Sequence, residues 1–182
     1  MTNGRSRTKE AVTGGAVILI GFMGTGKSTV GRILAERLGA EFVDTDQVIE
    51  REQGMGIPDL FRERGEAAFR AIETETLKRL LDGSRRVIAT GGGAVLAAEN
   101  REAMRAGGTV VALKASPETI IRRVAGGEGR PLLAGDAAAN VRRLLELRKT
   151  AYDFADFTVV TDGLTADEVA RRILHFLAKE SR

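Results

Sequence analysis

The run Gly21-Phe22-Met23-Gly24-Thr25-Gly26-Lys27-Ser28-Thr29 constrains the fold more than any other stretch. It fits G-x-x-x-x-G-K-[ST], is entered from the apolar run Ala16-Val17-Ile18-Leu19-Ile20, and leads into a helical pattern. A strand, a glycine turn and a helix in that order make a phosphate cradle. Glycines at 21, 24 and 26 allow positive φ, so backbone N–H groups turn inward, and the helix N-terminus adds partial positive charge. The motif aims Lys27 at β- and γ-phosphates and offers the Ser28 hydroxyl to Mg²⁺. It does not say what happens to the γ-phosphate.

The strand before the cradle is apolar at every position, as expected of a central parallel strand covered on both faces. Val30, Ile33, Leu34 and Leu38 recur at helical spacing, and Gly39 supplies a stop. Further strands are predicted at 41–44, 87–90, 109–113 and 157–160, separated by helical patterns. Among these helices, Asp136 caps one that runs on towards Tyr152, and Thr165-Ala166-Asp167-Glu168 forms a capping box for the last. Five strands alternating with helices predict an α/β fold with a parallel sheet. Gly54, Gly56, Pro58 and Gly65 break the polar stretch from Thr45 onwards into short helices before a longer one from Glu66 to Leu81. This stretch reads as an insertion carrying a binding site.

Length and charge narrow the class. The 182 residues suffice for one core, so residues 14–182 are expected to form a single domain, preceded by a disordered arm over 1–13. The net charge of +3 suggests nucleic acid until it is located. The arm holds Arg5, Arg7 and Lys9 against Glu10, leaving 25 basic and 24 acidic residues in the body. With seven Phe, one Tyr and no Trp, that near-neutral body lacks the basic and aromatic surface of a nucleic-acid binder. No apolar run approaches the roughly 20 residues that span a bilayer, and no membrane partner is expected. There is no cysteine, which excludes disulfides and thiolate metal sites and suits a cytoplasmic protein.

A phosphoryl-transfer enzyme needs an acid near Mg²⁺, a group on the acceptor hydroxyl, and cations over the moving phosphate. Asp44 and Asp46, two apart in a segment read as extended, would face the same way. One suits a metal-bound water and the other the acceptor. Arg70 and Glu73 lie three apart on one helix face. They are either a solvated ion pair or an arginine held by its carboxylate towards an anionic substrate. Arg148 is a second candidate for the same cavity, and Arg130, in the glycine-rich run 125–135, is a candidate to close over phosphates. Gly91-Gly92-Gly93 at a strand's end suggests close backbone approach by a ligand. His175 lies off the apolar stripe of the last helix and is expected in solvent. There is no Asn-Lys-x-Asp guanine signature.

Taken together, the phosphate loop, Asp44-Thr45-Asp46, Phe69-Arg70-x-Ile72-Glu73, Gly91-Gly92-Gly93, Arg130-Pro131-Leu132-Leu133 and Arg148-x-x-x-Tyr152 resemble the shikimate kinase family, in order and approximate spacing. The resemblance runs from about residue 16 to the end. It implies the three-layer P-loop fold of the nucleoside monophosphate kinases, with strand order 2-3-1-4-5 and helices on both faces. It implies ATP and shikimate as substrates, Mg²⁺ as cofactor, transfer of the γ-phosphate to the 3-hydroxyl of shikimate, and a monomer. Shikimate binding is implied for Asp46, Arg70, Gly91, Gly92, Gly93 and Arg148, with the two arginines on its carboxylate. ATP binding is implied for Gly24, Thr25, Gly26, Lys27, Ser28, Thr29, Arg123 and Arg130, Arg123 packing on adenine. Lys27, Asp46 and Arg130 take the catalytic roles, Ser28 binds the metal directly and Asp44 does so through water. The substrate region spans about 45–75 and a lid about 125–135. The loop Thr161 to Thr165 departs from the arginine- or asparagine-proline form of some members.

Overall fold

The structure is a computed structural model and describes residues 15–124 and 136–180. The arm, the lid segment 125–135 and Arg130 lie outside the described residues.

Five strands, β1 (Ala16–Gly21), β2 (Glu41–Asp44), β3 (Arg86–Ala89), β4 (Gly108–Lys114) and β5 (Phe157–Val160), form one parallel sheet of order β2-β3-β1-β4-β5. β1 is central and buried at all six positions, as its unbroken apolar run requires. Its residues divide by the two-residue period of a strand. Val17 and Leu19 pack with Val30 and Leu34 of α1 (Lys27–Leu38) and Val169 and Ile173 of α7 (Ala166–Glu180). Ala16, Ile18 and Ile20 point the other way, to Leu77 of α3 (Ile57–Leu80) and Met104 of α4 (Ala98–Gly107). Helices therefore cover both faces, giving three layers.

The helix ends follow their predicted signals. Gly39 caps α1 in the left-handed region, φ 61°. Asp136 accepts from the Ala139 N–H at 3.1 Å to start α6 (Ala137–Leu147). Thr165 and Glu168 exchange bonds as a capping box, Thr165 N–H to Glu168 Oε2 at 2.8 Å and Glu168 N–H to Thr165 Oγ1 at 3.2 Å. His175 is exposed on α7. Gly54 ends α2 (Thr45–Gln53), and Gly65, at φ 81° and ψ 169°, kinks α3 in place of ending a separate helix.

Two further details differ from expectation. The helix begun at Asp136 stops at Leu147, because Arg148 leaves helical geometry at φ −108°, ψ 11° and the chain turns inward. Asp44-Thr45-Asp46 is not extended: Asp44 closes β2 and caps α2, its Oδ1 accepting from Asp46 N–H at 3.0 Å and Gln47 N–H at 3.3 Å. An aspartate with free N–H groups ahead of it caps a helix more readily than it prolongs a four-residue strand.

Because the sheet is parallel, all five strands deliver their carboxyl ends to one edge. The chain goes to one side of β1 for β2 and β3, then to the other for β4 and β5, so the switch in strand order, where ligands bind such sheets, falls at β1. At the opposite edge Gly108 pairs with Ala16, and a Cβ there would run into the Ala16 carbonyl. Gly108→Ala is expected to lower stability by about 1–3 kcal/mol, as overpacking does, read as a fall in urea midpoint at unchanged slope.

Candidate active site

At the carboxyl end of β1 the loop Phe22–Gly26 folds over the start of α1. Gly21, Gly24 and Gly26 all have positive φ, at 147°, 76° and 94°, as the motif requires. Gly21 has a second reason to be glycine, since a Cβ would collide with the Leu113 carbonyl of β4. Thr25 is buried and pins the loop from within, its hydroxyl donating to the Phe22 carbonyl at 2.8 Å. Lys27 Nζ donates to the carbonyls of Gly21 at 2.8 Å and Phe22 at 3.0 Å.

The loop forms one wall of a cleft of about 560 Å³. Gly24, Gly26, Lys27, Ser28 and Thr29 line this wall, and Asp44, Asp46, Arg70, Gly91, Gly92, Gly93 and Arg148 line the rest. Twelve of the predicted residues thus share one space. Thr25 lies behind the wall. Arg123, on α5 (Pro117–Val124), also sits outside the cleft lining, its guanidinium donating to the Gly24 carbonyl at 3.1 Å and Thr161 Oγ1 at 3.2 Å. It joins the phosphate loop to the chain beyond β5, on the side away from the acids.

Ser28 Oγ donates to Asp44 Oδ2 at 2.7 Å, so a hydroxyl and a carboxylate meet beside the phosphate loop. Hard oxygen donors of this kind fit a divalent cation that also takes phosphate oxygens. No cluster of three or more acidic, histidine or cysteine side chains that could hold a metal by itself exists among the described residues.

Opposite the cradle, Arg70 donates to Glu73 Oε2 at 2.8 Å and lies 3.6 Å from Glu66. Sequence spacing left two readings of Arg70 and Glu73, and burial removes the first: the Glu73 side chain is 2% exposed and the arginine faces the cleft. This is no solvated pair. Arg148 is buried, with its guanidinium 5.7 Å from the centre of the Phe22 ring. Two cations therefore look into the cleft from α3 and from the turn after α6.

The acids between them are strained electrostatically. Asp46 Oδ1 and Glu73 Oε1 are buried with no hydrogen-bond partner among the described residues. Both lie within 3.0 Å of the place a Cβ on Gly91 would occupy. Burial pushes the Asp46 carboxyl up to about 6, Asp44 and Glu73 push the same way, and Lys27 opposes them. Burial likewise raises Glu73, against the pull of Arg70. Gly93 is fitted to Arg70 as Gly91 is to the acids, since its Cβ would sit 2.6 Å from the guanidinium. Apolar walls come from Phe61 and Phe69, whose rings are 4.6 Å apart. Phe61 had no place in the sequence reading, and Phe69 and Glu73 entered it only beside Arg70, in the motif Phe69-Arg70-x-Ile72-Glu73 and, for Glu73, as the partner of that arginine.

A carboxyl near 6 in the fold and 3.8 unfolded costs nothing well below pH 3.8, where both states are protonated. As pH rises through the window up to about 6 the unfolded chain loses its proton first, so stability falls and then stays lower. Asp46→Asn is therefore expected to stabilise the ligand-free protein by about 3 kcal/mol at pH 7, fading to nothing below about pH 3. Denaturant titrations across that range check it.

The shikimate kinase family model matches residues 23–178. A curated shikimate kinase of Thermodesulfovibrio yellowstonii is 44% identical over 159 residues, covering 87% of this chain and 92% of that protein. One of Moorella thermoacetica is 45% identical with the same coverage. Among solved structures, the shikimate kinase of Acinetobacter baumannii in complex with shikimate superposes with TM-score 0.88 at 40% identity, over 92% of this chain and 95% of that one. A gluconokinase of Sinorhizobium meliloti, at 21% identity and TM-score 0.58 over 91% of this chain and 92% of that one, shares the fold.

Proposed function

The chain belongs to the shikimate kinase family, and from that membership we infer how its own residues divide the reaction. The activity is transfer of the γ-phosphoryl group of ATP to the 3-hydroxyl of shikimate, giving shikimate 3-phosphate and ADP, on the route to aromatic amino acids. The observation that carries the reading is one cleft holding a phosphate cradle, an acid with an unpartnered buried oxygen, and two inward arginines.

In this assignment Gly24 to Thr29 hold the ATP phosphates and Arg123 flanks the adenine. Shikimate lies across the cleft, its carboxylate on Arg70 and Arg148 and its ring against Phe61 and Phe69, beside Gly91, Gly92 and Gly93. A guanidinium fork suits a carboxylate, and two of them fix its direction. Asp46 faces the 3-hydroxyl. As the oxygen–phosphorus bond to shikimate forms and the bond to ADP breaks, the hydroxyl proton passes to Asp46 Oδ1. Carboxyls raised towards neutrality serve this role because they still accept a proton at cellular pH. Lys27, with Arg130, carries the charge spread over the moving phosphoryl group. Ser28 directly, and Asp44 through water, would hold Mg²⁺, which supplies charge neutralisation at the β- and γ-phosphates. The region 45–75 would bind substrate and 125–135 close over it. A cytoplasmic monomer without a nucleic-acid partner suits the near-neutral, cysteine-free body; no described helix is long and apolar enough to cross a membrane.

Purified protein with ATP and Mg²⁺ is expected to consume ATP only when shikimate is present, in a coupled ADP assay. Equal turnover with gluconate, or stimulation by DNA or RNA instead, overturns the reading. Arg70→Ala and Arg148→Ala are each expected to raise the shikimate KM far more than the ATP KM, by the equivalent of about 2–5 kcal/mol for a lost buried charge-assisted contact. Steady-state kinetics with each substrate varied in turn would expose a purely structural Arg70–Glu73 pair, which leaves both KM values nearly unchanged.

A further inference from the structure

The chain has a single tyrosine, and none of the roles above uses it. After α6 the backbone runs through turns, with Ala151 N–H donating to the Arg148 carbonyl at 3.0 Å and Asp153 N–H to that of Thr150 at 3.2 Å. This path turns Tyr152 towards the sheet, where its ring is 4% exposed among Ile18, Ile20 and Ile88. Its hydroxyl emerges at the carboxyl edge of the sheet and donates to the Gly92 carbonyl at 2.9 Å.

Among the described residues, that bond holds the carbonyl of the glycine loop that the neighbouring backbone bonds leave out. The carbonyls of Gly91 and Gly93 accept from the N–H groups of Ala94 and Leu96, both at 3.1 Å, so the 3₁₀ turn Ala94–Leu96 fixes them. The Gly92 carbonyl is held by Tyr152 instead. Gly92 also runs close to the phosphate loop, its Cβ position lying 3.4 Å from Met23 N and 3.5 Å from the Gly21 carbonyl oxygen. A small rotation of this peptide therefore changes what the loop presents to the cleft. Arg148, four residues before Tyr152, is also its neighbour in space, and it opposes the rise that burial imposes on the phenol. The hydroxyl stays protonated at neutral pH and remains a donor.

We propose that Tyr152 is a positioning residue for the acceptor substrate. It sets the plane of the Gly92 peptide and locks the turn that carries Arg148 to the same loop, so that the carboxylate reader and the glycine loop keep a fixed spacing across one shikimate molecule. The inference rests on the assignment of Gly92 and Arg148 to shikimate.

Tyr152→Phe keeps the ring and removes the bond. The shikimate KM is expected to rise about fivefold or more, the size of one hydrogen bond, while the ATP KM stays within about twofold. Combined with Arg148→Lys, the effect is expected to fall short of the product of the two single effects, as for coupled neighbours. An unchanged shikimate KM, equal rises in both KM values, or a lower melting temperature with neither KM altered overturns the inference and makes Tyr152 a core aromatic. A second measurement needs no substitution of residue type. Because Tyr152 is the only tyrosine, fluorotyrosine incorporation places one ¹⁹F label at this position. Its resonance is expected to shift with shikimate more than with ADP; a resonance indifferent to saturating shikimate counts against the role. Wild-type protein with no shikimate-dependent turnover would instead overturn the substrate assignment itself, and this inference with it.

Discussion

The cleft depends on backbone coming closer to charged side chains than any side-chain-bearing residue permits. Gly91 faces Asp46 and Glu73 and Gly93 faces the Arg70 guanidinium, each at a distance a Cβ would turn into collision, while Gly92 runs alongside the backbone of the phosphate loop. Three consecutive glycines at the end of β3 lose more conformational entropy on folding than other residues would. That cost is offset by what the approach brings together: the acids of α2 and α3, the arginine of α3 and the cradle of β1 around one volume. The loop is not left loose. Thr90 bonds to the Leu19 carbonyl through its N–H at 3.1 Å and its hydroxyl at 3.2 Å, and Gly91 N–H donates to Thr45 Oγ1 at 3.2 Å.

The same closeness makes the site electrostatically expensive. Asp46 and Glu73 lose water without gaining a partner for one oxygen each, and Glu73 disfavours the charge of Asp46. An isolated buried carboxylate would simply take up a proton. Here Lys27 opposes that at Asp46, as Arg70 does at Glu73, so Asp46 is brought near neutrality and not far beyond it. A buried carboxyl with an unpartnered oxygen suits the proposed acceptance of a proton from an attacking hydroxyl, and the cost of its burial is the counterpart of that role. The chain beyond β5 shows the opposite design. Asp162 accepts from Ser116 Oγ and Thr119 Oγ1, both at 2.6 Å, and these bonds hold its carboxyl at about 2. A saturated carboxylate of this sort anchors α5 and has no proton-accepting capacity to spare.

How much of this could be read in advance depended on whether the signal was local. The apolar run of β1, the glycine at the end of α1 and the capping box of α7 act within a few residues, and each element formed as its pattern predicted. The phosphate loop was legible for the same reason. Asp44 and Asp46 reached the cleft by a route other than the one inferred: an extended segment would have aligned them, but Asp44 capped a helix and carried Asp46 into its first turn. Arg70 and Glu73 stayed ambiguous because spacing on a helix is the same for a surface pair and a buried one. The answer lay in the Gly91–Gly93 loop, some twenty residues further on, which only the fold brings against them.

Tyr152 shows the limit most plainly. In a helix continuing past Leu147, Tyr152 and Arg148 would be an ordinary i, i+4 pair on one face, and nothing local in Arg148-Lys149-Thr150-Ala151-Tyr152 announces that the helix ends before them. The end makes sense only in three dimensions. A guanidinium has to enter the cleft beside Phe22 while a phenol four residues later has to reach under β1 to the Gly92 carbonyl. A straight helix would hold both residues to one repeat; a run of turns lets each meet its own target. The helix gives up hydrogen-bonded length at this point, and Tyr152 reaches a loop 60 residues earlier while Arg148 turns into the cleft. Long-range requirements of this kind override local propensity where a binding site is built.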